Sequence, residues 1–166
     1  MVAVMTAVCF VATRFLGIPW GAGYFHLGDA IIFISAIVLG PAAAAVTGGL
    51  GGLLSNLTSG HAAFAPFTVV IKAAMGLSFG FLYSLIKGKK NRYLAVILAG
   101  LAAVAILVFG YFIAYLVILD TAGAAAALMP FDLTQGVIAV LITLLLVKRI
   151  EKIRDSTINK NDGNED

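Results

Sequence analysis

Charge is scarce in this sequence, and that scarcity restricts the class of protein more than any other property. Only 11% of the 166 residues are Asp, Glu, Lys or Arg, 61% are hydrophobic, and the mean hydropathy is +1.06. A soluble domain of this length buries only part of its surface on folding and cannot hide so many apolar side chains. The composition therefore predicts a membrane protein whose apolar side chains are solvated by lipid.

Cysteine is nearly absent, and the common motifs of nucleotide and metal chemistry are missing. Cys9 is the single cysteine, which excludes an intrachain disulfide and a multi-cysteine metal site. The sequence contains no G-x-x-x-x-G-K-[ST] loop and no H-E-x-x-H, and Ser55, Ser59 and Ser78 have no base at helical spacing. We therefore expect no ATP hydrolysis by this chain, no cofactor and no metal, and we predict that it is not an enzyme.

Six apolar segments are separated by short polar stretches or by glycine and proline. We interpret each segment as a helix, because a hydrocarbon core about 30 Å thick needs roughly 20 helical residues, and fewer where neighbouring helices shield one. Gly40-Pro41 separates the second and third segments, with glycine ending one helix and proline opening the next. The predicted helices cover residues 1–16, 27–40, 41–57, 66–86, 93–119 and 130–147.

Two clusters of basic residues predict how this bundle is oriented. One lies between the fourth and fifth segments and the other follows the sixth: Lys87, Lys89, Lys90 and Arg92, and then Lys148, Arg149, Lys152 and Arg154. With six spans both clusters lie on one side, which the positive-inside rule assigns to the cytoplasm. The same rule explains the clusters better than nucleic-acid binding does. The loops at 17–26, 58–65 and 120–129 contain no Lys or Arg and then face outward.

The fold class predicted from these patterns is an all-α membrane protein, a six-transmembrane-helix bundle with both termini in the cytoplasm. The bundle is expected to occupy residues 1–148, and residues 149–166 to form a polar cytoplasmic tail.

Ionisable side chains within membrane segments are costly, so each is a candidate for function. Lys72 lies about two turns into the fourth segment, where it must reach water, pair with a carboxylate or hold a ligand. Asp29 stands at a helix start, where capping and the helix dipole give a simpler interpretation. Asp132 is also near a helix start, and Gln135 shares its helical face.

These polar side chains and several aromatic ones are expected at one level of the bundle, near its outer face. Tyr111 and Tyr115 lie four residues apart on one helical face. Such rings are common in the interfacial belt of membrane proteins. Rings with a few amide, imidazole and charged groups also suit a small planar heterocycle. The predicted substrate-binding residues are Tyr24, His26, Asn56, Lys72, Tyr111, Tyr115, Asp132 and Gln135.

Small residues form a second pattern. Ala3 and Ala7 are four residues apart in the first segment, and residues 41–54 are small on almost every helical face. Membrane helices approach one another closely across such residues. Two interpretations stay open, which are internal packing and a docking surface for another membrane subunit.

Four stretches of the sequence carry a resemblance to a known family. They are "YFHLGD", "LGP" with the small-residue run that follows it, "AP-x-T-x-x-I-K" and "PFDLTQG". Through them the chain resembles, over nearly its whole length, the substrate-binding S components of energy-coupling factor (ECF) vitamin transporters. The resemblance is narrower to the branch assigned to the thiamine precursor hydroxymethylpyrimidine or to vitamin B6.

The resemblance implies a function and a set of partners. S components are six-helix bundles that bind a vitamin near the outer face of the prokaryotic plasma membrane. They associate with a transmembrane coupling subunit and two ATP-binding-cassette ATPases, and ATP hydrolysis drives release of the substrate inside. Ala3 and Ala7 match the motif that contacts the coupling subunit.

Three other interpretations stay open at this point. They are an S component for another vitamin such as pantothenate, folate or riboflavin, a structural or assembly protein without a ligand, and an intramembrane enzyme with a histidine base.

Overall fold

The structure, a computed structural model, describes residues 1–20, 23–88 and 91–162, without the side chains of residues 19–20, 23–24 and 156–162. Within these ranges it contains six α-helices, which confirms the predicted all-α helical bundle. The helices are α1 (Val2–Arg14), α2 (Gly28–Leu39), α3 (Pro41–Thr58), α4 (Ala65–Lys87), α5 (Arg92–Leu119) and α6 (Ala122–Asp162).

The loop predicted at 17–26 contains a short hairpin. Strand β1 (Ile18–Trp20) pairs antiparallel with strand β2 (Gly23–Phe25), and Ile18 lies opposite Phe25. The hairpin joins the end of α1 to the start of α2, so it lies at the same end of the bundle as His26.

Local sequence signals set most of the helix boundaries. Gly40 has φ +91°, a conformation that glycine adopts freely, and Pro41 opens α3 directly after it. The side chain of Asn91 caps α5 by accepting a hydrogen bond from the Tyr93 amide at 3.0 Å. The first five helices begin and end within two residues of the predicted positions.

The sixth helix differs from the prediction at both ends. The sequence predicts a loop at 120–129 and a helix start at Pro130, but α6 begins at Ala122 and contains Pro130 in its interior. The loop prediction is wrong because alanine, which dominates this stretch, has the highest helix propensity. Membrane helices also tolerate proline where other groups satisfy the freed backbone. At its other end α6 continues through residue 148, so the boundary between bundle and tail stays a prediction.

Three of the described helices are long and apolar enough to cross a membrane: α4, α5 and the part of α6 up to Asp155. Helices α1 and α2 are apolar but shorter, with 13 and 12 residues. Many large apolar side chains point away from the bundle, including Leu145, which is 82% exposed. An apolar outer surface of this kind is the one that lipid solvates.

Glycines bring α3 and α4 close together. A Cβ added to Gly76 would lie 2.7 Å from the carbonyl oxygen of Ala44, and one added to Gly48 would lie 2.8 Å from that of Lys72. A side chain at either position would therefore push the two backbones apart. This face of the small-residue run packs inside the bundle, as the first of its two interpretations expects.

A polar cluster joins α4, α5 and α6 at the end of the bundle with the predicted basic residues. The buried carboxylate of Glu151 accepts hydrogen bonds from the Tyr83 hydroxyl and the Lys87 ammonium, both at 2.6 Å. The guanidinium of Arg92 lies 2.6 Å from its other oxygen. Two members of the first basic cluster, residues 89–90, lie outside the described residues.

Candidate functional site

A cavity of about 590 Å³ lies at the opposite end of the bundle from Glu151. Along α4, Thr68 in the cavity wall and Lys87 in the Glu151 cluster are separated by about 28 Å at 1.5 Å per residue. The wall is built from α1, α3, α4, α5, α6, the loop before α2 and the segment between α3 and α4. Six of the eight predicted binding residues line it: His26, Asn56, Tyr111, Tyr115, Asp132 and Gln135.

The other two predicted residues are placed differently. Lys72 lines a smaller space of about 30 Å³, which shares Thr68 and Tyr111 with the large cavity. Its side chain is buried, and its Nζ lies 2.5 Å from Asp29 Oδ1. Tyr24 stands on β2, and its side chain lies outside the described residues.

Asp29 connects three helices beneath the cavity. Its Oδ1 accepts a hydrogen bond from Lys72 Nζ on α4, and its Oδ2 accepts one from Gln135 Nε2 on α6 at 2.7 Å. The residue is fully buried. A buried charge of this kind is stable only when it is paired and hydrogen-bonded, and both conditions are met here.

Asp29 is the residue whose role the sequence interpretation missed. It lies in the first turn of α2, as expected, but its side chain makes no capping hydrogen bond. The signal that identifies it is the need of Lys72, a buried cation in a neighbouring helix, for a carboxylate partner.

A second hydrogen-bond chain crosses the wall of the cavity. Asn56 Nδ2 on α3 donates to Thr68 Oγ1 at 2.6 Å, and the Thr68 hydroxyl lies 3.0 Å from the hydroxyl of Tyr111 on α5. The chain holds α3, α4 and α5 in one arrangement. The Lys72 ammonium lies over the Tyr111 ring, 5.4 Å from its centroid.

Aromatic rings form one side of the cavity. The rings of Tyr111 and Tyr115 are stacked with centroids 5.8 Å apart, as their spacing predicts. Phe64, which the sequence interpretation did not select, meets Tyr115 edge-on at 5.7 Å. Together these rings offer an apolar surface next to polar groups, the combination that planar ligands use.

His26 is neutral in this environment. Its Nδ1 accepts a hydrogen bond from the Gly28 amide at 3.3 Å, which places the ring proton on Nε2. Burial lowers the pKa of the imidazole to about 4, an effect larger than the opposite one of the Asp29 carboxylate. At neutral pH the ring therefore contributes a polar edge to the cavity without a charge.

The carboxylate of Asp132 is the least satisfied polar group of the site. Its Oδ1 accepts a long hydrogen bond of 3.4 Å from the Tyr115 hydroxyl. Its Oδ2 is buried and has no hydrogen-bond partner among the described residues. Among all the residues that the structure describes, no group of three His, Cys, Asp or Glu side chains is placed to hold a metal ion.

The family model described as "ECF-type riboflavin transporter, S component" matches residues 1–152. The chain belongs to this S-component family. A protein of Pyrococcus woesei described as "Uncharacterized protein in gap 3'region" is 33% identical over 141 residues, which are 82% of this chain and 90% of that protein.

A solved structure shows the same fold. It is described as "Structure and mechanism of the S component of a bacterial ECF transporter", and it matches with a TM-score of 0.69 at 18% identity. The match covers 92% of this chain and 94% of that chain. The resemblance to S components is thus confirmed, whereas the hydroxymethylpyrimidine and vitamin B6 branch stays a prediction.

Family membership identifies the chain as a transport subunit and an integral membrane protein. S components of ECF transporters associate with a coupling subunit and ATPases. On this S component, Ala3 and Ala7 are exposed on α1, whereas Thr6 and Cys9 face the interior. The two alanines therefore lie on a surface separate from the cavity.

Proposed function

We propose that this chain captures a small water-soluble vitamin or vitamin precursor for ATP-driven import across a prokaryotic cell membrane. The observation that carries the proposal is the cavity of about 590 Å³, in which stacked rings adjoin imidazole, amide and carboxyl groups. Its volume falls within the roughly 300–1,000 Å³ of small-molecule sites. The cavity lies at the end opposite the two basic clusters, which is the outer end by the positive-inside rule.

Each part of the site has a distinct role in this proposal. The rings of Phe64, Tyr111 and Tyr115 contact the face of a planar ligand, and the polar groups around them fix its orientation. Lys72 acts through Asp29, whose carboxylate it holds in place against Gln135. The polar groups that face the ligand are those of His26, Asn56, Asp132 and Gln135, and Tyr24 on β2 stays a predicted member of the site.

The first candidate ligand is a single nitrogen heterocycle with hydroxymethyl groups, either hydroxymethylpyrimidine or a pyridoxine-like compound. It is supported by the sequence resemblance and by the few polar groups available to orient one ring. Riboflavin is a second candidate, because the matching family model is described as a riboflavin transporter component. The cavity volume also suits its larger ring system.

The partners follow from the family. We propose that a coupling subunit and two ATPases complete the importer, and that the exposed Ala3 and Ala7 contact the coupling subunit. Helices associate closely across small residues in lipid, and a smooth face of this kind permits movement of one subunit against another.

Thermal unfolding of the purified protein with a panel of vitamins tests this proposal. The panel contains hydroxymethylpyrimidine, pyridoxine, riboflavin, pantothenate and folate. A ligand that binds the folded protein raises its stability by about 2.7 kcal/mol at a hundredfold excess over Kd. We expect one of the first three compounds to raise the unfolding temperature in a concentration-dependent way.

Two variants of one helix make the result specific to the cavity. Gln135→Ala changes the cavity wall, and Leu145→Ala changes a side chain that is 82% exposed on the outside of α6. Stabilisation should fall in the first variant and persist in the second. A protein that no compound stabilises would support the structural or assembly interpretation, and turnover of a compound without partners would support an enzyme.

A further inference from the structure

Asp132 presents to the cavity a hydrogen-bond acceptor that the described protein leaves unsatisfied. The residue is 9% exposed and lines the cavity wall. A carboxylate has about four lone-pair sites, and the described residues supply one long contact to them, from the Tyr115 hydroxyl at 3.4 Å. Buried polar atoms are satisfied in the great majority of native structures, so an exception requires a partner from elsewhere.

The cations near this carboxylate are engaged by other groups. Lys72 is bound to Asp29 at 2.5 Å, and the four ion pairs among the described residues do not include Asp132. The guanidinium of Arg14, which also lines the cavity, lies over the ring of Phe15, 5.4 Å from its centroid. The charge or dipole that complements Asp132 is therefore expected from the ligand.

The amides of the cavity favour the same kind of ligand. Asn56 and Gln135 each direct their amino group to an internal acceptor, Thr68 in the first case and Asp29 in the second. Their carbonyl oxygens, which make no hydrogen bond to a described residue, add to the acceptors of the site. A site rich in acceptors selects a ligand that brings donors.

We propose that Asp132 determines specificity by binding an exocyclic amino group of a nitrogen heterocycle. This inference rests on the proposed function and narrows its substrate class to amino-substituted rings. One amino N–H donates to Oδ2, and the ring nitrogen beside the amino group shares one proton with Oδ1. The pair then has the two parallel hydrogen bonds that carboxylates form with planar donors, while the Tyr111 and Tyr115 rings contact the face of the heterocycle.

Equilibrium binding of two probes to two proteins tests this pairing. The probes are hydroxymethylpyrimidine, which carries the amino group, and its analogue with hydrogen in place of that group. In the natural protein we expect the amino compound to bind about ten- to a hundredfold more tightly. In Asp132→Leu the ratio of the two affinities should fall to about one, because the probes differ only in the amino group and its acceptor, Oδ2 of Asp132, is gone.

The ratio of the two probe affinities distinguishes a change in specificity from a folding defect. The unfolding temperature of the ligand-free protein is a second measurement that supports this distinction. Removing an unsatisfied carboxylate should raise the unfolding temperature of the ligand-free protein. Leu133→Ala is the control, since Leu133 is the neighbouring residue and is 49% exposed on the outside of α6. It should keep the natural affinity ratio.

Each remaining outcome would contradict the inference about Asp132, and one of them would also contradict the proposed function. Equal ratios in the natural protein and Asp132→Leu would overturn the inference and leave the proposed function standing. Binding of riboflavin with no binding of the amino probe would do the same. Absence of binding by the whole vitamin panel would overturn both.

Discussion

The Asp29 carboxylate holds two partners from different helices while its own side chain is fully buried. Lys72→Met leaves this carboxylate without its cation. Breaking a buried pair from one side costs about 3–5 kcal/mol, because an uncompensated charge stays in the interior. We therefore expect Lys72→Met to lower the free energy of unfolding by that amount, measured by chemical denaturation in mixed micelles.

A double variant distinguishes the ion pair from simple packing at Lys72. Asp29→Asn together with Lys72→Met leaves no charge unpaired, so it should recover most of the stability that Lys72→Met loses. If the double variant is less stable than Lys72→Met alone, or if Lys72→Met unfolds like the natural protein, the pair does not have the role described.

The pH dependence of stability tests the environment of His26. Burial lowers the pKa of the folded imidazole from 6.5 to about 4, so between these values the unfolded chain binds a proton that the folded protein excludes. The contribution of this residue to stability is complete above pH 6.5 and is lost as the pH falls towards 4. The slope is at most about 1.4 kcal/mol per pH unit.

His26→Asn supplies the comparison. Its side-chain oxygen can replace Nδ1 as acceptor for the Gly28 amide, but it does not titrate. As the pH is lowered from 6.5 to 4, the unfolding temperature should fall less steeply in this variant than in the natural protein. Parallel profiles for the two proteins would contradict a neutral imidazole in the folded protein.

Sequence reasoning at the residue scale identified the unusual side chains better than their partners. A lysine at membrane depth is expensive wherever it lies, so Lys72 was recognisable as significant. Its partner Asp29 lies 43 residues away, on another helix. Spacing within one helix does not specify which side of α2 meets α4, so the pair emerges only with the fold.

At the scale of helices, the close contact between α3 and α4 gives a testable prediction. Gly76→Ala places a Cβ 2.7 Å from the Ala44 carbonyl oxygen, and neither backbone can yield without separating α3 from α4. We expect a loss of about 1–3 kcal/mol in the free energy of unfolding.

The control is Gly123→Ala in α6, where an added Cβ meets nothing within 4 Å. This change should leave stability unchanged or raise it by about 0.5–1 kcal/mol through helix propensity. Equal effects of the two substitutions in chemical denaturation would show that the α3–α4 approach is not close.

The elements themselves were predictable where glycine and proline mark boundaries. The Gly40-Pro41 junction lies where the second predicted helix ends and the third begins. The start of α6 was not predictable in this way, because Pro130 gave a stronger local signal than the alanines before it. A long helix that packs against its neighbours can contain this proline, because neighbouring groups satisfy the backbone groups that the proline leaves unbonded.

At the scale of the whole molecule, the prediction concerns the association of this subunit with the rest of the importer. Ala3→Leu or Ala7→Leu adds a large side chain to the exposed face of α1, away from the cavity. We expect ligand binding by the purified subunit to persist and uptake by the complete transporter to be lost, because the bulky residue prevents close approach to the coupling subunit.

Ala105→Leu on α5 is the matched control, since Ala105 is also exposed. It should leave both binding and uptake intact. Loss of binding together with uptake in the α1 variants would indicate misfolding, and normal uptake would remove this face from the docking surface.

Composition and segment lengths were sufficient to predict a membrane bundle of six helices, since both follow from the need to solvate apolar side chains. The location of the polar residues near one end was also predictable. The depth of the cavity and the choice of the groups that face it were not, because they depend on helix rotation. Lys72 lies behind the wall, whereas Phe64 contributes to the aromatic side.

The most direct test of this account is mass spectrometry of the small molecules retained by the purified protein after mild detergent extraction. The account predicts one nitrogen heterocycle of vitamin size, retained by the natural protein and by Ala3→Leu and lost from Tyr111→Ala. Retention of the same compound by Tyr111→Ala at the natural level would contradict it, as would a natural protein that retains no compound and binds none of the vitamin panel.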